Sequence, residues 1–486
     1  MTTTTTFSKI PAELIEGVYQ WLDARSIFRL SQVSHQFRRV LQQSSALEYK
    51  MRLELSGFRD GLKPGVSSER LAMLEAYQAA WTSFHPNQCD SKSVLMDGHL
   101  WELVGNVLVT YSAENGFRFN RIPSSTRHIL PAAWSVASVP FAVSDFSLDL
   151  SQDLLLVVEI NHNVKVNTVI HLLSLQNGGP HPLARKAGLS PDIDSSDYPA
   201  PHHFQIRIFG DHVGVLTDSI DRVELIVWEW KTGNLKKHLF DDDMTSFAFL
   251  DDYRLLISVY TALSGLPPEL RVLEIDGHLT EMIGYFSFKL PAFSPLHEVP
   301  ETEIVIHTEP RTSWATDSDL NEPFATSLTD RLFVVSLWGE TLHATDPTFM
   351  LCFLLSALLN IMGNPPEGTD DRSIVWDKWG PGTRMLRVPQ LPDPWVCFVY
   401  GQRCILLTDQ THYKILDFNP LSTSQNRITH EKTVDKRQRL FLHPVTTSAP
   451  FALLSVDVSP SAAVMLAEDA IVTVSPNEEE FTIFYV

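Results

Sequence analysis

Residues that could carry out catalysis are sparse in this chain, and their spacing matches no catalytic motif. The sequence has no Gly-x-x-x-x-Gly-Lys-Ser/Thr phosphate loop, no Gly-x-Ser-x-Gly nucleophile turn and no His-Glu-x-x-His zinc motif. The four cysteines, Cys89, Cys352, Cys397 and Cys404, contain no Cys-x-x-Cys pair, so they do not suit a two-zinc RING. We therefore expect no catalytic residue, no metal site and no cofactor, and predict that the chain is not an enzyme.

Two cysteines, Cys397 and Cys404, flank a predicted hairpin turn at Gly401–Gln402. In that register Cys397 lies opposite Leu406, so the two thiols occupy diagonal positions about 7 Å apart. This distance is too long for an unstrained disulfide. Free buried thiols, together with the lack of any Asn-x-Ser/Thr sequon, favour a reducing compartment.

Composition narrows the environment of the protein further. The net charge of −20 argues against nucleic-acid binding, because affinity for phosphate comes from clustered Lys and Arg. The longest apolar run, residues 349–362, is shorter than the ~20 residues that cross a bilayer. The N-terminus lacks the basic-then-apolar order of a signal peptide. We expect a cytoplasmic or nuclear protein with no membrane partner.

The first fifty residues predict three short helices with more apolar side chains than such a small unit can bury. Pro11 suits a first helical turn, and Leu14, Val18 and Leu22 recur at four-residue steps. Asp23 can cap a second helix. Such a unit implies a partner that covers its surplus apolar surface, or else packing onto its own chain.

This segment resembles the F-box over residues 8 to 48. The motif positions are Pro11, Glu13, Leu14, Leu22, Leu30, Val33, Phe37 and Arg38; Ser34 and Phe37 stand where the family often has Cys and Trp. The resemblance implies docking on the Skp adaptor and, through it, on a cullin and a RING protein. Carried over by position, the Skp-binding residues would be Pro11, Leu14, Ile15, Leu22, Leu30, Val33 and Phe37.

A second helical element follows at residues 67–81, with strong helix-forming residues and a Ser67 or Ser68 cap. We interpret it as a brace between the F-box and the rest of the chain. This order of segments resembles F-box proteins that are numerous in mushroom-forming fungi. The predicted domains are an F-box at 1–48, a helical linker at 49–87 and a β-propeller-like substrate-recognition domain at 88–486.

The C-terminal region is predicted to be mainly β, because short β-branched and aromatic runs alternate with turn residues. Trp228-Glu229, followed by the turn Lys231-Thr-Gly-Asn, resembles a degenerate WD-type repeat. At ~40–45 residues per blade this predicts six to eight blades, most simply seven, with a pair of β-sandwiches as the alternative. Residues 187–203 and 290–324 look like long inserted loops. The terminal strand at 481–486 would close the ring against a strand near residue 100.

The function implied is that of a substrate-recruiting F-box subunit of a Skp–cullin–RING ubiquitin ligase. The helices would hold Skp, and the β-rich domain would hold a target protein that the sequence does not identify. One alternative is a Skp-binding scaffold that acts without a cullin. The other is a propeller enzyme, for which the sequence offers no matched acid, base or nucleophile.

Overall fold

The computed structural model describes residues 10–486 apart from a series of short segments. Those segments are residues 62–64, 87–88, 138, 162–166, 191–202, 220–221, 262–265, 278–279, 281–285, 295–301, 310–321, 328–329, 340–347, 367–371, 389–395, 408–411, 420–427, 430–432, 436–440 and 458–459. Most of the predicted loop at 187–203 therefore lies outside the described residues.

The N-terminal part of the described chain is helical, as the apolar periodicity predicts. Its elements are α1 (Ala12–Gln20), α2 (Ala24–Ser31), α3 (His35–Gln43), α4 (Ser45–Leu55), β1 (Phe58–Asp60) and α5 (Ser67–Thr82). Side chains of Asp23, Ser34 and Ser44 cap α2, α3 and α4 by accepting backbone N–H bonds that the first helical turn leaves open. The expected serine cap of α5 is wrong: its N-cap is Val66, which makes no side-chain cap bond.

The β-region contains seven sheets of four or five strands that follow one another along the described chain, which confirms a seven-bladed propeller and rules out the two β-sandwiches. After β2 (Ser91–Leu95), blade 1 is β3 (Leu100–Val104), β4 (Val107–Ser112), β5 (Gly116–Arg121) and β6 (Ala132–Val136). Blade 2 is β7 (Asp145–Asp149), β8 (Leu154–Asn161), β9 (Asn167–Ser174) and β10 (Gly188–Leu189). Blade 3 is β11 (His203–Phe209), β12 (His212–Ser219), β13 (Arg222–Glu229) and β14 (Asn234–Phe240).

Among the remaining blades, blades 5 and 6 carry insertions. Blade 4 is β15 (Met244–Phe249), β16 (Arg254–Val259), β17 (Glu269–Glu274) and β18 (Phe286–Lys289). Ser373–Ile374, from the insertion in blade 5, pairs in parallel with β18 as a fifth strand of this sheet. Blade 5 and its insertions comprise β19 (Thr302–His307), β20 (Phe324–Thr326), β21 (Leu332–Gly339), β22 (Thr348–Leu354), α6 (Leu355–Gly363), β23 (Ser373–Ile374), α7 (Trp376–Trp379) and β24 (Arg384–Val388). Blade 6 and its insertions comprise β25 (Val399–Tyr400), β26 (Arg403–Leu407), β27 (His412–Asp417), β28 (Ile428–Thr429), β29 (Thr433–Asp435), β30 (Val445–Thr447) and β31 (Phe451–Asp457). Blade 7 is β32 (Ala463–Leu466), β33 (Ala470–Val474), β34 (Glu480–Tyr485) and β2.

The apolar core lies between neighbouring blades, because side chains alternate between the two faces of each strand. In β8, Leu155 and Val157 pack toward blade 1, whereas Leu154, Leu156 and Val158 pack toward blade 3. The inner strands of a blade are thus buried on both faces, as in β4, whereas outer strands such as β6 and β14 alternate between buried and more exposed positions.

The ring closes between the two ends of the β-region, as expected for the terminal strand. The partner of β34 is β2 (Ser91–Leu95), close to the predicted position near residue 100, with Val94 opposite Phe481. Closure in this way joins the two ends of the β-region within one blade. The prediction of a loop at 290–324 is wrong in part, because Thr302–His307 forms the first strand of blade 5.

The first strands of most neighbouring blades contact one another, as β3 contacts β7 and β15 contacts β19, which places the first strands around the axis of the ring. The turn after each first strand lies on one face of the propeller, because strands within each blade are antiparallel. The turns of blades 1, 6 and 7 hold Asn106, Gln402 and Glu468–Asp469. The helical linker packs on this face, which we call the linker face.

Candidate functional site

Helix α1 carries two apolar rows that face opposite environments. Ile15 and Tyr19, four residues apart, are buried in the core between the N-terminal helices. Leu14 and Val18 have the same spacing one residue earlier, and their side chains are 62% and 52% exposed. The small core of the N-terminal helices buries only one of the two rows of α1, so the other row faces solvent.

The exposed row continues beyond α1. Trp21, at the end of α1, is 91% exposed, Phe28 on α2 is 56% exposed and Val33, just after α2, is 71% exposed. We call Leu14, Val18, Trp21, Phe28 and Val33 the apolar face. Large apolar side chains gathered in this way on a surface are typical of a protein-binding site.

The structure separates the residues that the sequence predicted to bind Skp. Pro11, Leu14 and Val33 are exposed, and Leu22 and Leu30 are half-buried beside the helical core. That list needs a correction, because Ile15 and Phe37 are 1% and 6% exposed and lie inside the core. A partner cannot reach these two side chains, since they hold the helices together.

Sequence reasoning missed three members of the apolar face: Val18, Trp21 and Phe28. Trp21 and Phe28 lie outside the motif positions that carried the prediction. The helical spacing of α2 could have identified Phe28, because Ala24, Ile27 and Ser31 recur every three to four residues and form the buried side of the helix. Phe28 falls outside that stripe and therefore faces solvent.

Helix α4 connects the helical unit to the propeller without a flexible joint. Its residue Leu47 belongs to the helical core, whereas Tyr49 and Leu53 belong to the core that includes blades 6 and 7. The Glu54 carboxylate accepts a hydrogen bond from the Ala24 N–H at 3.0 Å, and Arg52 pairs with Glu75 of α5 at 2.9 Å. The orientation of the apolar face relative to the propeller is therefore fixed by packed side chains.

The helical linker, residues 49–87, is also attached to the propeller by main-chain hydrogen bonds. Strand β1 runs antiparallel to β20, which lies in the insertion between the first two strands of blade 5, with Phe58 opposite Thr326. Further hydrogen bonds join Gly61 N–H to the Pro323 carbonyl at 3.0 Å and Ser327 N–H to the Gly57 carbonyl at 2.7 Å. We call the paired strands β1 and β20 the latch.

Aromatic rings fill the space behind the latch. Tyr77 of α5 lies edge-on to Phe58 and Phe324, with centroid distances of 5.4 Å between Phe58 and each of the other two rings. The Tyr77 hydroxyl donates to the Glu468 carbonyl at 2.8 Å. These contacts tie α5 to blade 7, in agreement with its interpretation as a brace.

A buried ionic cluster lies beneath the latch. Arg127, which is fully buried, donates to Asp469 at 3.0 Å, to Glu468 at 2.9 Å and to Glu322 at 3.4 Å. Burial lowers the pKa of Arg127, but the carboxylates of Asp469, Glu468 and Glu322 outweigh it and keep the pKa well above its ordinary value. The guanidinium therefore stays charged and joins blades 1, 5 and 7.

Glu322 is the titratable member of this cluster. Burial raises its pKa to about 8, the charge of Arg127 opposes the rise, and the charges of Glu468 and Asp469 add to it. Arg121 also lies near Glu322 and favours its charged form. Burial outweighs the attraction of these cations, so Glu322 holds a proton more readily than an ordinary glutamate does.

The comparisons with known proteins agree with a division of the chain into an N-terminal helical unit and a propeller. The F-box domain profile matches residues 7–47, the part of the chain that carries the apolar face. No curated protein sequence matches the chain significantly. The chain thus carries an F-box domain followed by a seven-bladed propeller.

Similar solved structures include the WD40 domain of SCAP from fission yeast, with 7% identity, a TM-score of 0.32 and coverage of 79% of this chain and 84% of that one. Hydrazine synthase from Kuenenia stuttgartiensis gives 9% identity, a TM-score of 0.39 and coverage of 81% and 96%. The strand pairing described above defines the seven-bladed propeller.

An F-box domain implies a Skp-binding adaptor role in complexes of the Skp–cullin–RING type, and the propeller suggests a protein-binding domain. This combination fits an adaptor rather than an enzyme. Within the described part of the chain, no helix is both long and apolar enough to traverse a bilayer.

Proposed function

We propose that this protein is the substrate-recruiting subunit of a Skp–cullin–RING ubiquitin ligase. The observation that carries the proposal is the apolar face: it lies within the F-box match, it is exposed, and the rest of the described chain leaves it uncovered. Burial of a few large apolar anchors accounts for most of the binding energy in interfaces of this kind. Skp would cover the apolar face, together with Pro11 and the half-buried Leu22 and Leu30.

The propeller would hold the target protein on the face opposite the linker face. The linker face is occupied near the axis by α5, the latch and the Arg127 cluster. The opposite face carries the connections between blades, with the exposed residue Asp242. It also carries the turns between the second and third strands of each blade, with the exposed residues Glu114 and Glu478–Glu479. A target held there by a rigid adaptor would meet the conjugating enzyme at a high effective concentration.

The decisive experiment is co-purification of the full-length chain with the Skp adaptor and a cullin. Leu14→Ala combined with Trp21→Ala should lower the amount of Skp recovered by at least tenfold. Tyr253→Ala is the matched control, because Tyr253 is a large exposed side chain on the propeller, at 70% exposure. Full recovery of Skp with the double variant would refute the proposed binding mode.

Recovery of Skp without a cullin would favour the scaffold alternative. We expect both Skp and a cullin to be recovered, because ubiquitin transfer would be catalysed by the complex and not by this chain. The protein would then act in the cytoplasm or nucleus, where such complexes assemble.

A further inference from the structure

The F-box segment has a charge distribution unlike that of the whole chain. Residues 24–47 contain Arg25, Arg29, Arg38 and Arg39 but no Asp or Glu, whereas the complete chain has a net charge of −20. We call these four arginines the basic set. Segregation of positive charge in an acidic protein creates a local potential that attracts acidic surfaces.

Within the part of the chain that the structure describes, the basic set takes part in no ion pair. All four side chains are exposed on α2 and α3, and Arg29, Arg38 and Arg39 form no ion pair with any residue that the structure describes. Arg25 lies near Asp23, whose pKa is lowered mainly by the Ser26 N–H and only slightly by Arg25. These cations therefore contribute little to folding.

Two members of the basic set, Arg25 and Arg29, border the apolar face. Residues three and four apart on a helix are neighbours, so Phe28 lies beside Arg25, and Val33, just past the last turn of α2, follows Arg29 by four residues. The anchors proposed to enter a partner are thus flanked by unpaired cations. An apolar centre with a charged rim is the usual anatomy of a protein interface.

We infer that the basic set docks an acidic segment of the Skp adaptor, adjacent to the groove that receives the apolar face. This inference rests on the proposed function and adds to it the charge of the partner surface. Exposed rim charges act mainly on the rate of association and on its salt dependence. The same acidic segment would repel the acidic propeller. The basic set would therefore also orient this chain as it approaches the Skp adaptor.

The test is the association rate of the purified full-length chain with the Skp adaptor over a range of salt, from about 0.02 to 0.5 M NaCl, where the Debye length falls from ~20 Å to ~4 Å. The variant replaces the basic set by Gln. The matched control makes the same charge change on the propeller, at the exposed side chains Lys92, Lys378, Arg387 and Lys414. We expect at least a tenfold slower association at low salt and a flatter salt dependence for the variant, and neither for the control.

Each outcome decides one question. Equal rates for variant and wild type at every salt concentration, with binding still lost in the Leu14→Ala and Trp21→Ala double variant, would overturn this inference and leave the proposed function standing. An equal loss in the propeller control would also overturn it, because net charge alone would then explain the effect. No association of the wild-type chain at any salt concentration would overturn the proposed function and, with it, the inference.

Discussion

Arg127 and Asp469 form an ion pair that is fully buried, although 342 residues separate them in the chain. Arg127 lies in the connection between the last two strands of blade 1, and Asp469 lies in the first turn of blade 7. The pair therefore spans the point where the propeller closes. The latch is anchored at the same place, since Arg127 also donates to the Phe324 carbonyl at 3.1 Å.

Arg127→Met should destabilise the protein by about 3–5 kcal/mol, because it leaves the buried Glu468 and Asp469 carboxylates without their cation. The control is Arg118→Gln, whose side chain is 50% exposed and pairs with Asp97 at 3.1 Å. An exposed pair of this kind contributes ~1 kcal/mol at most. Urea unfolding followed by tryptophan fluorescence measures both, and equal midpoints would show that the cluster is not required.

Glu322→Gln should change how stability depends on pH. The pKa of Glu322 is raised to about 8 from 4.5 by burial, so the folded protein binds a proton that the unfolded chain has lost between these values. Its contribution is complete below pH 4.5 and is lost as the pH rises through about 8. Relative to wild type, the glutamine variant should therefore become more stable as the pH increases over this range.

Thermal unfolding of both proteins between these pH values measures the difference. Glu114→Gln, which removes a charge from an exposed turn, serves as the control and should follow the wild-type curve. Parallel curves for Glu322→Gln and wild type would mean that Glu322 does not hold the extra proton.

Ile15→Ala and Leu14→Ala should have opposite consequences, although the residues are adjacent. Ile15 is 1% exposed, so its truncation leaves a cavity in the helical core and should cost about 2–5 kcal/mol of stability. Leu14→Ala should change stability by less than ~0.5 kcal/mol. It should instead weaken Skp binding by ~2 kcal/mol, or about 30-fold.

Calorimetric unfolding together with Skp titration separates the two effects. If Leu14→Ala destabilised the fold as much as Ile15→Ala, Leu14 would belong to the core and the apolar face would need to be redrawn.

Gly61→Ala should disturb the latch. A Cβ at this position would lie 1.9 Å from the Glu322 carbonyl oxygen, so the backbone after β1 has to move away from the insertion of blade 5. Gly17→Ala is the control, because a Cβ there meets nothing within 4 Å, and alanine should stabilise α1 by about 0.5–1 kcal/mol. Amide hydrogen exchange should increase at Phe58–Asp60 in the first variant only; unchanged protection there would show that the latch tolerates the side chain.

The sequence alone was sufficient for the features that depend on neighbours along the chain. The F-box motif, the helical period of α5 and the strand-turn pattern around Trp228 each reflect contacts between residues a few positions apart. The turn at Gly401–Gln402 is likewise confirmed, with Tyr400 opposite Arg403. Propensity, periodicity and turn chemistry act at this range, so the class of fold could be predicted.

Only the tertiary structure decided which side chains are available to a partner. Leu14 and Ile15 are both apolar and adjacent, and the packing of α3 and α4 against α1 determines which of them is covered. The latch and the Arg127 cluster also escaped prediction, because a pairing such as Phe58 with Thr326 leaves no local pattern in the sequence. Contacts across hundreds of residues are fixed by closure of the ring, and that closure is a property of the whole chain.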